Sequence, residues 1–566
     1  MRHLLLMTLP LLVSLSFIQQ ANADDRKAAP KLIVQVTVDQ LRGDLPTRYY
    51  QRLGEGGFKY LWQKGLVYSD AHHAHANTET IVGHATLATG TYPSIHGMVG
   101  NLWFDRSTGR SIYNIEDADY SLLSKNADVN DNAEIDPTQR AANTGGRSPN
   151  AILTSTFSDE LSANTNGKAK VFAVSVKDRG AVSMAGHSGK AFWFSKSNGE
   201  FVTSNYYYDR YPEWVNRWNE QQLPQQYANT GWTLLNSADS YQFKDSDNRA
   251  WEADVAGFGR VFPHNYGKSS SPYFNTLLTL SPAGDELTLD FATTLLNKEK
   301  LGQDDITDYL AISFSSTDYV GHIFGPSSLE VEDNILRLDR TLAKLFKTLD
   351  KKIGLDNVLI VLSADHGGPD TPGYLAEHNI PAGYVDLSSW EKDAAIKRIK
   401  KRFNIKGKLI EKFVHPYLYL SPEVNNNLAI DRVALDHAIS SELSAFEGVH
   451  SAISSKAIEL GQLDDNYVNQ MVKNNFHPLR SGDFYVVFKP NWFINDFDGL
   501  TVASTHGSPW RYDTYVPVVF AGAGIEDNNI HRRIHTVDIA PTLSAYLGIK
   551  PPSGAVGEVL PEVFED

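Results

Sequence analysis

Three carboxylates and three imidazoles occur where a metal-assisted reaction could use them, although they are far apart in the chain. Asp39 follows an apolar run, Asp318 and His322 form an Asp-x3-His pair, Asp365-His366-Gly367 follows another apolar run, and His506 lies in Thr505-His506-Gly507. Ligands in open α/β sheets collect beyond the carboxyl ends of the strands, so such residues can converge on folding. Taken singly, an Asp-His pair in a loop is an ordinary cap or surface feature. Taken together and in this order, the set is an inventory for two metal ions. Nitrogen and carboxylate ligands without sulfur suit zinc, with coordination positions left open for substrate and water.

The segment Thr78 to Ala85 leads into a short helical pattern that ends at Gly90, which puts Thr80 at or near a helix N-terminus. Unpaired amides and the helix dipole favour an anion there and lower the cost of an alkoxide. On local grounds alone such a threonine is an N-cap. Beside the metal inventory it becomes a candidate nucleophile, with Thr78 as its rival.

The elements that must position these residues are legible as apolar runs. Lys31 to Val38 is nearly continuous in Val and Ile, the pattern of a strand buried on both faces. Similar runs occur at Val171 to Val176, Leu310 to Phe314, Val358 to Leu362 and Val516 to Ala521. Helical periodicity separates them, most clearly in Val331, Ile335, Leu338, Leu342, Leu345 and Leu349, with Ser327 and Glu330 spaced as a capping box. The alternation predicts an α/β fold around a mainly parallel sheet. Two stretches break the rhythm and read as insertions into one catalytic domain spanning residues 24–566: about 192–272, aromatic and with an Asn198-Gly199 hairpin turn, and about 372–504.

Residues 1–23 read as a secretory signal: Arg2 and His3, an apolar stretch from Leu4 to Ile18, and a small-x-small site at Ala21-Asn22-Ala23. A periplasmic or secreted location follows, with cleavage near Ala23 and no membrane span in the mature protein. The chain has no cysteine, which excludes disulfides, thiolate metal sites and cysteine nucleophiles. The formal charge of −15 becomes −16 when Arg2 leaves with the signal, so nucleic acid and anionic membranes are disfavoured as main partners.

These residues resemble the alkaline phosphatase superfamily, in particular its threonine-dependent periplasmic phosphate monoesterases. The resemblance runs from Asp39 to His506 through Thr80-x-x-Gly83-His84, Gly97 to Asn101, Ser175-x-Lys177-x-Arg179, Asp318-x3-His322, Asp365-His366-Gly367 and Thr505-His506-Gly507. It implies a three-layer fold with inserted cap regions and two zinc ions. One zinc would be held by Asp318, His322 and His506, and the other by Asp39, Asp365, His366 and the Thr80 oxygen. Asn101, Lys177 and Arg179 would contact the nonbridging oxygens of a phosphoryl group carried on Thr80. Serine-dependent relatives use a third, magnesium-type site, a place that Lys177 is expected to fill here.

Charge supports a monoester as substrate. Two zinc ions balance Asp39, Asp318, Asp365 and a Thr80 alkoxide, and Lys177 with Arg179 then match a dianion. The rival readings are a phosphodiesterase or nucleotide pyrophosphatase of the same superfamily, and a non-catalytic periplasmic protein that binds zinc or phosphate. A sulfatase is disfavoured because no Cys or Ser-x-Pro-x-Arg precursor occurs. Asp128-x-Asn130-x-Asn132 resembles the start of a calcium loop, but Ala133 replaces the turn glycine and Gln139 the bidentate glutamate, so it reads as a polar loop. His72, His73 and His75 are expected in a solvated loop, and His84 and His96 as structural residues. The aromatic insertion is a candidate lid.

Overall fold

The computed structural model describes residues 29–130, 133–386, 390–497 and 500–565. The signal segment and its cleavage site lie outside the described residues, as does Asn132. The elements that carry the argument are, in chain order, β1 (Leu32–Val38), β2 (Gly65–His72), α1 (Thr80–Thr89), β3 (Val171–Ser175), α2 (Asp178–Ala185), β4 (Lys190–Phe194), β5 (Phe201–Val202), α3 (Pro282–Lys298), β6 (Asp308–Phe314), α4 (Ser316–Phe324), α5 (Leu329–Lys352), β7 (Val358–Ser363), β8 (Tyr515–Ala521) and β9 (Asn528–His535).

One nine-stranded sheet, ordered β9-β2-β8-β7-β1-β6-β3-β4-β5, forms the centre. From β7 to β4 it is parallel. β8 runs antiparallel to both β7 and β2, so the Val516 to Ala521 run enters the sheet against the parallel direction. Every residue of β1 is buried. Leu32, Val34, Val36 and Val38 face a core shared with α3 and α5, whereas Ile33 faces the core of α1 and α2, giving three layers.

Register aligns the strand ends. Val38 pairs with Phe314, Thr37 with Ser363, and Ser313 with Ser175, so β1, β6, β7 and β3 finish side by side. Asp39, Lys177, Asp318 and Asp365 all follow within a few residues of those ends.

The two segments expected as insertions differ in build, and the first begins within β4 of the central sheet. Asn198-Gly199 joins β4 to antiparallel β5, and Gly199 supplies the positive φ of 76° that the turn needs. Residues 410–488 contain a four-stranded antiparallel sheet, Ile410–Val414, Tyr417–Leu420, Phe484–Phe488 and Val449–Ser454 in spatial order. It packs on helices Ala394–Arg402 and Arg432–Ser444 around a separate core that includes Ile396, Leu435, Leu418 and Val486.

The capping box expected at Ser327 and Glu330 does not form. Ser328 caps α5 by accepting from the Val331 amide, one position later, while Ser327 donates to Asp370. Among the described residues no helix is long and apolar enough to cross a membrane.

Candidate active site

Each site residue is set by a strand-to-helix junction. β1 delivers Asp39, β7 delivers Asp365 and His366, and β3 runs through Ser175 to Lys177 at the N-cap of α2, which places Arg179 in its first turn. Asp318 lies in the first turn of α4, with His322 one turn later on the same face. Thr80 is the first residue of α1, and Glu79 holds the N-cap position without a side-chain cap. Thr80 is therefore not an N-cap.

The scattered carboxylates and imidazoles converge in the interior. Asp318, His322 and His506 bring one ligand atom each within 4.8 Å of one another, and so do Asp39, Asp318 and His366. Asp318 thus reaches both groups. Asp365 lies alongside, with Oδ2 3.5 Å from His366 Nε2 and Oδ1 accepting the amides of Gln40 and His366.

The three imidazoles are oriented alike. His322 Nδ1 meets the Ser504 carbonyl at 2.8 Å, His506 Nδ1 the Thr78 carbonyl at 2.8 Å, and His366 Nδ1 the Gly367 carbonyl at 2.9 Å. Each contact makes Nδ1 the protonated nitrogen and presents Nε2 to the cluster as a lone-pair donor. His366 Nε2 and Asp39 Oδ1 are buried without a hydrogen-bond partner, while Asp39 Oδ2 and Asp365 Oδ2 meet the cationic or imidazole nitrogens of Lys177 and His84. Buried polar atoms left so cost free energy unless a ligand satisfies them, and this set of nitrogen and oxygen donors fits a divalent cation such as zinc.

Lys177 sits among the same groups. Its Nζ is 2.8 Å from Asp39 Oδ2, contacts Asp318 Oδ2, and lies 3.5 Å from Thr80 Oγ1. Burial would lower its pKa, but the two carboxylates outweigh burial and raise it, so it stays charged. Burial likewise works against the ionised Asp318, yet His322 and Lys177 hold it well below the usual carboxylate range. Burial and the Asp365 charge push Asp39 well up. Burial pushes His366 well down, which keeps its Nε2 unprotonated.

Arg179 and Asn101 border the same cavity as Thr80, His322 and His506. Asn101 Oδ1 accepts from the Ile81 amide at 3.2 Å, leaving its Nδ2 as the group able to donate to an anion. Thr78 is tied up: its hydroxyl bonds Ser508, and its carbonyl orients His506.

The histidines of the 72–75 segment are buried rather than solvated. His72 meets Asp70 and Thr514, His73 meets the Ala364 carbonyl and Thr536, and His75 meets the Asn77 carbonyl. β2 is an interior strand of the sheet, so its end is covered on both sides. His96 is satisfied by Thr86 and the Met98 amide. His84 does more than fill space, because its Nδ1 lies 3.0 Å from Asp365 Oδ2 and 2.9 Å from the Thr80 carbonyl. In the polar loop, Gln139 donates to Asp178.

Four residues of the site were not singled out from the sequence. Gln40, with a positive φ of 64°, donates from Nε2 to Asp318 Oδ1 at 2.9 Å. Glu79 accepts the Asn101 amide at 2.6 Å. Asp136 receives Arg179 Nη1, and Tyr319 stands between the ammonium groups of Lys177 and Lys196, 4.8 and 4.6 Å from its ring. Only Asp136 carried a local signal, as an Asp-Pro helix start.

Comparison with known proteins finds relatives over nearly the whole chain. Alkaline phosphatase PafA of Elizabethkingia meningoseptica is 35% identical over 554 residues, covering 96% of each chain. Alkaline phosphatase PhoV of Synechococcus elongatus is 33% identical, covering 95% of this chain and 94% of its own. The crystal structure of wild-type PafA superposes with a TM-score of 0.83, covering 95% of this chain and 99% of that one, at 33% identity. The family model described as type I phosphodiesterase / nucleotide pyrophosphatase matches residues 33–509, and the chain belongs to that family.

Proposed function

We propose that this chain is an exported, zinc-dependent alkaline phosphatase that hydrolyses phosphate monoesters through a phosphothreonine at Thr80. The observation that carries the reading is the Thr80 hydroxyl at the start of α1, beside two overlapping cation-ligand groups and the charged Lys177. Two alkaline phosphatases that match nearly the whole chain support it.

Asp318, His322 and His506 would hold one zinc, and Asp39, Asp365, His366 and the Thr80 oxygen the other. Zinc bound there supplies Lewis-acid stabilisation of charge on the entering and leaving oxygens. Thr80 Oγ1, having lost its proton to solvent, attacks phosphorus in line, forming the Oγ1–P bond as the bond from phosphorus to the ester oxygen breaks; the alkoxide leaves with that electron pair and takes a proton from solvent to become the alcohol. Water then attacks the same phosphorus, releasing inorganic phosphate and restoring the hydroxyl. Arg179 offers a planar fork to two nonbridging oxygens, Asn101 an amide donor, and Lys177 a point charge close to the nucleophile. The α1 amides favour the developing negative charge at Thr80.

The family description also names phosphodiesterases, which makes the diester the reading to exclude. Turnover of p-nitrophenyl phosphate and of bis-p-nitrophenyl phosphate by the zinc-loaded protein separates the two. The dianion is expected to have much the larger kcat/KM, and a preference for the diester overturns the substrate class. Export predicts that the mature chain recovered outside the cytoplasm begins at Asp24, which N-terminal sequencing reads.

A further inference from the structure

The cavity beside Thr80 has two unlike kinds of lining. Its polar lining includes Thr80, Asn101, Arg179, His322 and His506, and its apolar lining includes Ile135, Val255, Ile323, Phe497, Leu500 and Val502. Val255, Ile323 and Val502 are buried, and the rest are half-buried. Part of the apolar lining, Val255, Ile323 and Val502, adjoins the His322 end of the site. Ile323 follows His322 on α4, the Ala503 amide beside Val502 donates to the His322 carbonyl at 2.8 Å, and the Ala253 amide donates to the Ile323 carbonyl at 2.9 Å. Two other chain segments are thus pinned to the His322 end of α4.

In-line displacement from Thr80 sends the ester oxygen away from the nucleophile. In the reading above that is the side of Asp318, His322 and His506, so the carbon skeleton of the alcohol falls on the apolar wall. Charge points the same way. Among the described residues lining the cavity, Arg179 is the only arginine or lysine, and its guanidinium is already paired with Asp136. A leaving group with a second anionic group would meet no further cation there, only the carboxylates of Glu79, Asp136 and Asp318. The basic residues Arg110, Lys408 and Lys412 line an outer cleft, interspersed with Glu391 and Glu411.

We infer that this wall is a leaving-group subsite that selects phosphate monoesters of uncharged, apolar alcohols, alkyl or aryl, over esters whose alcohol carries another anion. The inference rests on the phosphatase reading and narrows its substrate class.

The test is an n-alkyl phosphate series from ethyl to hexyl on the zinc-loaded full-length protein, because leaving-group pKa is nearly constant along it. In parallel, calorimetry measures binding of the corresponding n-alkylphosphonates, whose P–C bond does not hydrolyse. Both kcat/KM and phosphonate affinity are expected to rise by roughly two- to fourfold per methylene until the wall is covered. Val255→Ser and Leu500→Ser should each lower the hexyl-to-ethyl ratio, and hexyl phosphate should be preferred to adenosine monophosphate. A flat series in an active wild-type enzyme overturns the subsite, whether or not the variants fold. Absence of turnover of every monoester, with phosphonate affinity still rising along the series, overturns the phosphatase reading and leaves the subsite standing.

Discussion

Arg179 Nη1 donates to Asp136 Oδ2 at 2.8 Å, while Oδ1 of the same carboxylate accepts the Thr138 amide at the start of helix Pro137–Arg140. One aspartate thus ties the guanidinium to a fixed backbone. Burial works against the ionised Asp136, but Arg179 and Lys196 hold its carboxyl well below the ordinary range, so it remains an anion at any working pH. Asp136→Asn keeps the cap acceptor and removes the charge. Hydrogen bonds to charged groups contribute about 1.5–3 kcal/mol, so kcat/KM for a monoester should fall by about 10- to 100-fold, and Tm should fall as well because Arg179 is left buried without its anionic partner. An unchanged kcat/KM would show that Arg179 does not depend on this partner.

Thr80→Ala removes the proposed nucleophile but keeps the helix, since alanine is well tolerated at a first helical position. Turnover should drop by at least about 1000-fold, whereas Thr80→Ser should keep measurable turnover. Acid-quenched mass spectrometry should find one phosphate on Thr80 in the wild type and on the introduced serine in the variant. A phosphate adduct on Thr78 instead would reassign the nucleophile.

His366 Nε2 is buried and without a hydrogen-bond partner, and it lies 3.5 Å from both Asp39 Oδ1 and Asp365 Oδ2. His366→Ala should lower bound zinc from two ions to one per chain, measured by plasma mass spectrometry after dialysis. His506→Ala should remove the other ion. Zinc-free wild type should be inactive and recover when zinc is returned. Retention of two ions by either variant would remove that histidine from the ligand set.

The strand ends were legible in the sequence because buried parallel strands read as uninterrupted apolar runs, and the residues just after them are forced to one edge of the sheet. That reasoning pointed to Asp39, Asp318 and Asp365 without any knowledge of loop geometry, whereas Lys177 was singled out only through the family resemblance. It could not locate Gln40, whose role depends on a backbone at φ 64° that turns its amide toward Asp318. Nor could it show that Asp318 is near both cation groups, which follows from side-chain direction within the first turn of α4. The burial of His72, His73 and His75 was missed for another reason: polarity suggested solvent, whereas hydrogen bonds to Thr514, Ala364 and Thr536 hold His72 and His73 inside, and His75 bonds Asn77 through Nδ1 while its Nε2 is buried without a partner.

Gly83 explains part of the Thr80-x-x-Gly83-His84 spacing. A Cβ at this position would lie 1.9 Å from the Asp365 carbonyl oxygen, so only glycine lets α1 approach the loop that carries Asp365 and His366. Gly83→Ala should push the two apart and cost about 1–3 kcal/mol by overpacking. Zinc content and activity should fall together with Tm. Wild-type zinc binding in a destabilised Gly83→Ala protein would mean that the metal ligands do not sense this contact.

Glu252 and Glu330, the latter in the first turn of α5, form a buried acidic pair that is not among the proposed ligands. Glu252 Oε2 accepts the Arg249 amide at 2.8 Å, His264 Nε2 lies 3.2 Å from Glu330 Oε1, and the remaining oxygen of each carboxyl has no hydrogen-bond partner. Burial and the Glu330 charge push Glu252 from its ordinary 4.5 up to about 9. The native state therefore keeps a proton that the unfolded chain releases above pH 4.5, and the linked stabilisation is complete below that pH. It declines as pH rises through the folded-state value, so this group makes the fold weaker toward alkaline pH. Glu252→Gln carries no charge at any pH and should flatten the decline, gaining about 1–2 kcal/mol over wild type near pH 8.5 and little near pH 5.5. Urea unfolding midpoints at the two pH values read the difference. Parallel pH dependence in wild type and variant would mean that Glu252 ionises as readily in the folded protein as in water, and that the alkaline loss of stability has another source.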